Sequence, residues 1–261
     1  LYILGQLKDQ QFIELISSKI EHPRPEVRRT AIQALANIPL PRAQRALIRG
    51  LNLLKDETDI NLITNKLVEA GPGVINIIIN ELTAENTSSR KVQAALLTTI
   101  RRILRQLPKN ERTTIISYAQ REKLENLAQA EIKYIYQRYF FIFSLQGETK
   151  PELSFLAKVI EEKVEVSINI VLEILGINDP SGKISFAATR IKDSDEHVQA
   201  DVFEILENVG QQAIVETFIP LLEKENTERI IQIGQQRFGF KPQPFEHVII
   251  QLLNDPDPWL Q

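Results

Sequence analysis

Apolar residues recur at fixed offsets along the chain, and this pattern predicts the architecture. Offsets of 0, +4, +8 and +11 keep four side chains on one face of a helix with 3.6 residues per turn. Five such stripes are present: Val27, Ala31, Leu35 and Ile38; Val92, Leu96, Ile100 and Ile103; Ile132, Tyr136, Phe140 and Phe143; Val164, Ile168, Leu172 and Leu175; Val198, Val202, Leu206 and Val209. Their first residues are 65, 40, 32 and 34 positions apart, and a weaker stripe from Ile60 divides the largest gap. A buried helix face that returns every 32–40 residues is typical of helical repeat proteins.

Turn signals separate these stripes. Gly, Pro and short polar clusters interrupt the chain at intervals of about 14–22 residues, which suits helices of three to four turns joined by short loops. The segment Asn110–Leu145 is the exception, because it contains neither Gly nor Pro. We predict two helices there with a bend around Asn126–Gln129, and one long helix is the alternative.

One stripe carries residues that point to a family. The sequence Pro25-Glu26-Val27-Arg28-Arg29-Thr30-Ala31 resembles the start of the second helix of a HEAT repeat, with its proline-bearing turn, Val-Arg pair and following Ala. The other stripes lose the Arg and have Gln93, Glu165 and Gln199 in its place. The resemblance implies an all-α fold, a right-handed α-α superhelix that forms a HEAT/armadillo-like solenoid of antiparallel helix pairs. In such a fold each repeat packs mainly on its neighbours.

The stripes also predict which side chains are buried between the helical layers. These are Val27, Leu35, Val92, Ile100, Ile132, Phe140, Ile168, Leu172, Val198 and Leu206. Both ends of the chain resemble interrupted repeats, since Leu1–Leu7 has the pattern of a helix tail and Asp255–Trp259 resembles the approach to the first stripe helix. We therefore expect residues 1–261 to form a single HEAT-like solenoid, a fragment truncated at both ends.

A narrower resemblance concerns the second half of the chain. Asp193–Leu222 and the closing Asp-Pro-Asp-Pro-Trp-Leu are similar to the HEAT regions of bacterial ADP/ATP carrier-like membrane proteins. This implies a cytosolic HEAT appendage of a nucleotide-carrier-like transporter, cytoplasmic and tethered to a membrane through a missing N-terminal domain. HEAT-like bilin lyase subunits are another relative of similar size, although their repeats are richer in Val-Arg pairs.

The chain offers little catalytic chemistry. It has no Cys, and His22, His197 and His247 lie far apart, so no metal-ligand spacing is present. No glycine-rich phosphate loop follows a strand-like segment, and no apolar run approaches the roughly 20 residues of a membrane span. The sequence predicts a soluble, non-enzymatic scaffold without cofactor, metal or catalytic residues, which binds a protein or a neighbouring domain.

An aromatic cluster is the strongest local feature. Tyr136, Phe140 and Phe143 lie on the repeat stripe, which favours core packing, whereas Tyr134 and Phe141 lie on another face of the same segment. These two side chains either line a groove or pack on the preceding helix. Packing is the favoured interpretation for the cluster as a whole.

Charge is unevenly distributed and gives the candidate binding residues. Residues 1–50 have a net charge of +4, and residues 151–231 have a net charge of −9. The candidate partner-binding residues are Arg24, Arg28, Arg29, Arg42, Arg45 and Arg49, for an acidic protein or an anionic membrane surface. Nucleic acid is disfavoured because the whole chain carries a net charge of −3 and no aromatics interleave the basic residues. For Arg28 a structural alternative remains open, a pair with an acidic residue of an adjacent repeat.

Overall fold

Every regular element is helical in the part of the chain that the computed structural model describes, residues 1–84, 89–146, 151–191, 195–223 and 227–255. The predicted all-α solenoid class is therefore confirmed. The chain divides into two compact units, Leu1–Leu124 (unit 1) and Glu125–Gln261 (unit 2). The handedness of the superhelix and the single-solenoid organisation stay predictions.

Unit 1 is built from short helices in two layers. Its helices are α1 (Tyr2–Leu7), α2 (Ile13–Ser17), α3 (Pro25–Ala36), α4 (Pro41–Gly50), α5 (Glu57–Glu69), α6 (Ile75–Leu82), α7 (Arg90–Gln106) and α8 (Lys109–Arg112), followed by the start of α9 (Tyr118–Gln146). Helices α1, α3, α5 and α7 pack side by side in one layer, the α1 layer, and α2, α4 and α6 pack side by side in the other, the α2 layer. This alternation of neighbours is the packing expected of stacked helix pairs.

Local chemistry sets the helix starts in unit 1. Pro25 occupies the first turn of α3, where its missing N–H removes no helical hydrogen bond. The carboxylate of Asp56 caps α5 by accepting the Thr58 N–H at 2.8 Å, and Ser89 Oγ accepts the Val92 N–H at the start of α7. Side-chain caps therefore satisfy backbone donors at the starts of α5 and α7, whereas α3 and α4 begin at prolines without a side-chain cap.

Unit 2 contains longer helices. It consists of most of α9, then α10 (Pro151–Asn178), α11 (Lys183–Arg190), α12 (Glu196–Val209), α13 (Gln212–Leu222), α14 (Thr227–Phe238) and α15 (Phe245–Leu253). Helices α9 and α10 have 29 and 28 residues, about twice the length that the turn signals predict. Consecutive helices from α10 to α14 pack on one another.

The predicted bend at Asn126–Gln129 is wrong, because α9 runs without interruption from Tyr118 to Gln146. The break lies upstream, where Ser117 and Gln120 form reciprocal bonds. The Ser117 N–H donates to Gln120 Oε1 at 2.8 Å, and the Gln120 N–H donates to Ser117 Oγ at 3.3 Å. This capping box starts a new helix at Tyr118 and leaves nothing downstream to stop it.

Most of the predicted core residues are buried. Eight of the ten have at most 7% of their surface exposed: Leu35, Val92, Ile100, Ile132, Phe140, Ile168, Leu172 and Leu206. Val27 and Val198 are only half-buried, since each lies in the first turn of its helix, next to a loop. The stripe also predicts a buried Phe143, but this side chain is 42% exposed near the end of α9. The stripe is thus accurate in helix interiors and inconsistent at helix ends, where Val92 and Ile38 are buried but Val27, Val198 and Phe143 are not.

Tyr136 and Phe140 of the aromatic cluster pack inside unit 2, as predicted, whereas Phe143 does not. The Tyr136 ring lies 5.2 Å from the Phe238 ring, and Phe140 lies 5.7 Å from Phe240, between ring centroids. Helix α14 approaches α9 closely at Gly234, where an added Cβ would lie 2.5 Å from Phe140 Cε2. The aromatic residues therefore require a glycine on the opposing helix.

A second core region in unit 2 joins the end of α9, the start of α10 and α15. Phe141 is buried there against Val248 and Leu252 of α15. Beside it the Arg138 guanidinium forms an ion pair with Asp255, and both side chains are 5% exposed. The same guanidinium stacks on the Tyr134 ring at 4.3 Å and on the Phe141 ring at 5.0 Å. Tyr134 and Phe141 thus hold a buried cation of their own chain.

No single helix among the described residues is long and apolar enough to cross a bilayer. One pair of segments, Glu57–Glu69 and Pro72–Leu82, meets the length and composition criteria together but is bent by 109° at the break. Its apolar residues, among them Ile63, Leu67 and Ile78, are buried in unit 1.

Candidate interaction surface of unit 1

Two of the six candidate arginines are engaged at a junction between repeats. Arg28 Nε donates to Asp59 Oδ2 at 2.6 Å, and Arg29 Nε donates to Asp59 Oδ1 at 2.9 Å. Asp59 is completely buried, whereas 15% of the Arg28 side chain and 42% of the Arg29 side chain remain exposed. These bonds therefore join α3 to α5 within the α1 layer. For Arg28 they correspond to the structural alternative, a pair with an acidic residue of an adjacent repeat.

Further bonds fix the Arg28 guanidinium in place. Its Nη1 donates to the carbonyls of His22 and Pro23 at 3.2 and 3.1 Å, and its Nη2 lies 3.6 Å from Asp56 Oδ2. The hydrogen bond that Arg29 donates to Asp59 raises the pKa of the Arg29 guanidinium. The Thr58 N–H lowers the pKa of Asp56, so that carboxylate stays ionised to a lower pH than usual. Arg29 and Asp56 are therefore both charged near neutral pH.

Polar side chains also connect α5 to α7, although α7 lacks the Val-Arg pair. Lys91 Nζ pairs with Glu57, and Arg102 Nη2 donates to Asn65 Oδ1 at 2.9 Å. In α7, Gln93 stands in place of the motif's Arg, so the motif itself does not predict a polar link between α5 and α7. The links are maintained by other side chains, at positions that the motif does not mark.

Three of the candidate arginines form a row on the other layer. Arg42, Arg45 and Arg49 occupy one face of α4 at offsets of 0, +3 and +7, and all three are exposed. The opposite face of α4 buries Ala43 and Leu47. Among the described residues, only Arg49 of the three has an ion-pair partner: its Nε lies 3.3 Å from Glu81 Oε2 on α6, while 70% of its side chain stays exposed. We call these three residues the α4 arginine row.

The sixth candidate, Arg24, precedes α3 and is exposed. Its backbone N–H donates to His22 Nδ1 at 3.1 Å, a bond within the loop that precedes α3. Because α3 and α4 are joined by a short loop and run antiparallel, Arg24 and Arg42 lie at opposite ends of the pair. The six arginines therefore divide into an engaged pair, an isolated residue and a row. Partner binding by any of them stays a prediction.

The structure gathers no catalytic constellation in the described ranges. No group of three or more His, Cys, Asp or Glu side chains there is placed to hold a metal ion. His197 and His247 are exposed in the first turns of α12 and α15. The sequence of the α12 region contains an acidic run, Asp193, Asp195, Glu196, Asp201 and Glu204. Asp195 caps α12 by accepting the His197 N–H at 2.9 Å, and Asp201 and Glu204 are exposed. The first member of the run, Asp193, lies outside the described residues.

The charge asymmetry follows the boundary between the units. Unit 1 contains 19 Lys and Arg against 12 Asp and Glu, a net charge of +7. Unit 2 contains 12 against 22, a net charge of −10. A charged ligand therefore meets an attractive potential on one unit and a repulsive one on the other.

Comparisons with known proteins concern the first half of unit 1. Residues 1–61 match the family model for HEAT repeats, a segment that contains α1 to α4, the α4 arginine row and Asp59. No curated protein and no solved structure matches the chain. The first segment is therefore similar to helical repeats that mediate protein–protein interaction in general.

Asp59 is the residue that sequence reasoning missed. A signal was available, since an acidic residue follows the Val-Arg pair by about one repeat length, next to the apolar start of the weaker stripe at Ile60. A carboxylate beside a buried stripe position needs a cationic partner when it is desolvated. In the structure that cationic partner is the Arg28–Arg29 pair, about one repeat length earlier in the chain.

Proposed function

We propose that this protein is a non-enzymatic helical-repeat scaffold, and that the α4 arginine row binds an acidic segment of a partner protein. The observation that carries the proposal is the exposure of three guanidinium groups on one helix face, two of them without an ion pair among the described residues. Arg28 and Arg29 are left out because Asp59 already engages them.

The chemistry of the row suits carboxylates. An arginine fork binds a carboxylate through two parallel hydrogen bonds, and seven helical steps separate the outer guanidinium groups by about 10 Å. An extended acidic peptide spans such a distance with about three residues. The pairing of Arg49 with Glu81 supports this ligand chemistry, since that arginine already donates two hydrogen bonds to a carboxylate.

The test is a charge reversal with a matched control. Partners are recovered from cell extract on the immobilised chain, and the affinity of each purified partner is measured for Arg42→Glu/Arg45→Glu. The control, Lys8→Glu/Lys109→Glu, changes the net charge of unit 1 equally at exposed lysines outside α4. We expect the arginine variant to weaken binding at least ten-fold and to flatten its salt dependence, whereas the control changes affinity only slightly.

Equal effects of the two variants would show that only the net charge of unit 1 matters, and unchanged affinity in both would end the proposal. Circular dichroism of both variants checks that the helices are intact. We expect no loss of helix, because all four substituted side chains are exposed.

The narrower hypotheses have their own test. The appendage hypothesis, with its cytoplasmic, membrane-tethered location, predicts about a dozen membrane-spanning helices upstream in the full-length gene. The bilin-lyase-like hypothesis predicts a turnover that a point mutation abolishes. Without either result, the scaffold role is the function that the described geometry favours.

A further inference from the structure

Helices α11 and α12 of unit 2 enclose an open groove of about 320 Å³. Its floor is apolar: Val202 is buried and Ile205 is half-buried. Along α11 the lining residues are Lys183, Phe186 and Arg190, at offsets of 0, +3 and +7. Both walls are thus single helix faces, and the groove extends along them for about two turns, roughly 10 Å. We call it the α11–α12 groove.

The two rims of the groove carry opposite charges. Lys183 and Arg190 stand on the α11 rim, and Asp201 and Glu204 stand on the α12 rim. All four side chains are exposed, and none of them forms an ion pair within the described part of the chain. The charges therefore do not satisfy each other across the groove, and each remains available to a ligand.

An exposed aromatic ring stands beside the apolar floor. Phe186 is 55% exposed, and the Arg190 guanidinium lies 4.8 Å above its ring. This stacking holds a large apolar side chain at the rim instead of letting it fold onto the protein. Aromatic and arginine side chains at the edge of a hydrophobic depression are the usual anchors of protein interfaces.

We propose that the α11–α12 groove binds an amphipathic helix of a partner protein, with an acidic flank toward α11 and a basic flank toward α12. The apolar stripe of such a helix would cover Phe186, Val202 and Ile205. Its acidic side would meet Lys183 and Arg190, and its basic side would meet Asp201 and Glu204. A third helix laid against a helix pair is a common mode of peptide recognition.

Charge distinguishes this site from the α4 arginine row. The row is uniformly basic and lies on unit 1, whereas the groove has one basic and one acidic rim and lies on unit 2. A purely acidic segment would be repelled by Asp201 and Glu204, so the two sites select different ligands. The inference therefore does not depend on the function proposed above.

The first experiment uses the full chain and a defined probe. The probe is a fluorescein-labelled helical peptide of about 14 residues, roughly 20 Å long, with a leucine stripe, Glu on one flank and Lys on the other. A second peptide has the same stripe with Glu on both flanks. Fluorescence anisotropy is expected to show saturable binding of the mixed peptide and binding of the all-Glu peptide at least five-fold weaker. Absence of saturable binding by the mixed peptide would overturn the proposal.

Two variants locate the binding site. Phe186→Glu is expected to weaken the mixed peptide about ten-fold, whereas Phe155→Glu, at an even more exposed Phe on α10, is expected to leave its affinity unchanged. Asp201→Lys/Glu204→Lys makes both rims basic and is expected to invert the preference, so that the all-Glu peptide binds better. Equal losses in the two Phe variants, or a preference that the double variant does not invert, would show that the peptide binds elsewhere.

Discussion

Units 1 and 2 are both built from packed helices, but the side-chain contacts between the helices differ. Unit 1 stacks short helices and links neighbouring repeats with polar side chains that stay near the surface, as at Lys91 and Arg102. Unit 2 packs longer helices through aromatic rings, a glycine contact and an ion pair that is buried on both sides, Arg138 with Asp255. Only the first unit contains residues that match a family model. Neighbouring helices are thus joined by several alternative polar pairs in unit 1 and by packing that depends on individual residues in unit 2.

The largest expected effect is in unit 2. Arg138→Met keeps the aliphatic volume and leaves the Asp255 carboxylate buried without its cation, which should cost about 4 kcal/mol. Urea unfolding measures the loss. The double variant Arg138→Met/Asp255→Asn removes both charges and is expected to recover more than half of it. A double variant no more stable than the single one would show that the guanidinium acts through the Tyr134 and Phe141 rings alone.

The second effect tests whether unit 1 depends on its polar junction. Asp59→Ala removes the buried carboxylate that two arginines share. Arg28 is the better buried of the two, and the change should destabilise unit 1 by about 3 kcal/mol. Glu57→Ala removes an exposed partner of Lys91 two residues away and should cost at most about 1 kcal/mol. Hydrogen exchange resolves the effect by unit. Equal exchange in the two variants would mean that the α1 layer is held by apolar contacts alone.

A third substitution tests the glycine contact. In Gly234→Ala the new methyl group would meet the ring of Phe140, which is itself buried, and the overpacking should cost about 2 kcal/mol despite the better helix propensity of alanine. Gly73→Ala is the control, because no atom lies within 4 Å of its added Cβ. Thermal unfolding compares the two. A Gly234→Ala variant as stable as the control would show that α14 moves away from α9 without cost.

The smallest effect concerns one hydroxyl. Tyr136 Oη donates to the Thr217 carbonyl at 2.9 Å, one turn before Pro220, whose ring cannot supply a backbone donor to α13. Tyr136→Phe should cost about 1 kcal/mol, and Tyr118→Phe, at an exposed ring, should cost nothing measurable. Chemical denaturation of the two variants provides the comparison.

The same residue predicts an alkaline limit for unit 2. Burial raises the pKa of Tyr136 well above its ordinary value near 10. The neutral phenol therefore contributes stability that is fully present below about pH 10 and is lost as the pH rises toward the folded-state pKa. Tyr136→Phe should lose less stability above that pH than the wild type. Identical alkaline profiles would assign the limit to another group, such as Tyr139, whose pKa is also raised by burial.

The sequence predicted the helical class and most of the buried stripe, because 3.6-residue periodicity reports directly on which face a helix buries. It did not predict the length of α9, which depends on the reciprocal bonds of Ser117 and Gln120 and not on Gly or Pro. The sequence identified the six arginines as binding candidates, but it did not predict which of them are engaged by carboxylates of the same chain. Nothing in the local pattern of Arg28 and Arg42 shows that one is used by Asp59 and the other faces solvent. The role of a charged side chain therefore depends on partners that are distant in the sequence.

The carboxylate of Asp59 accepts one arginine on each oxygen, and this redundancy bears on how the repeat can change over evolutionary time. Replacement of Arg29 alone leaves the buried charge compensated by Arg28, which has further carbonyl acceptors to hold it. Either arginine can therefore be lost before the other, with the second protecting the fold during the intermediate step. Loss of Asp59 has no such protected route. Among natural variants of this segment, substitutions at the two arginines should accumulate singly, and sequences that keep Asp59 without either arginine should be rare.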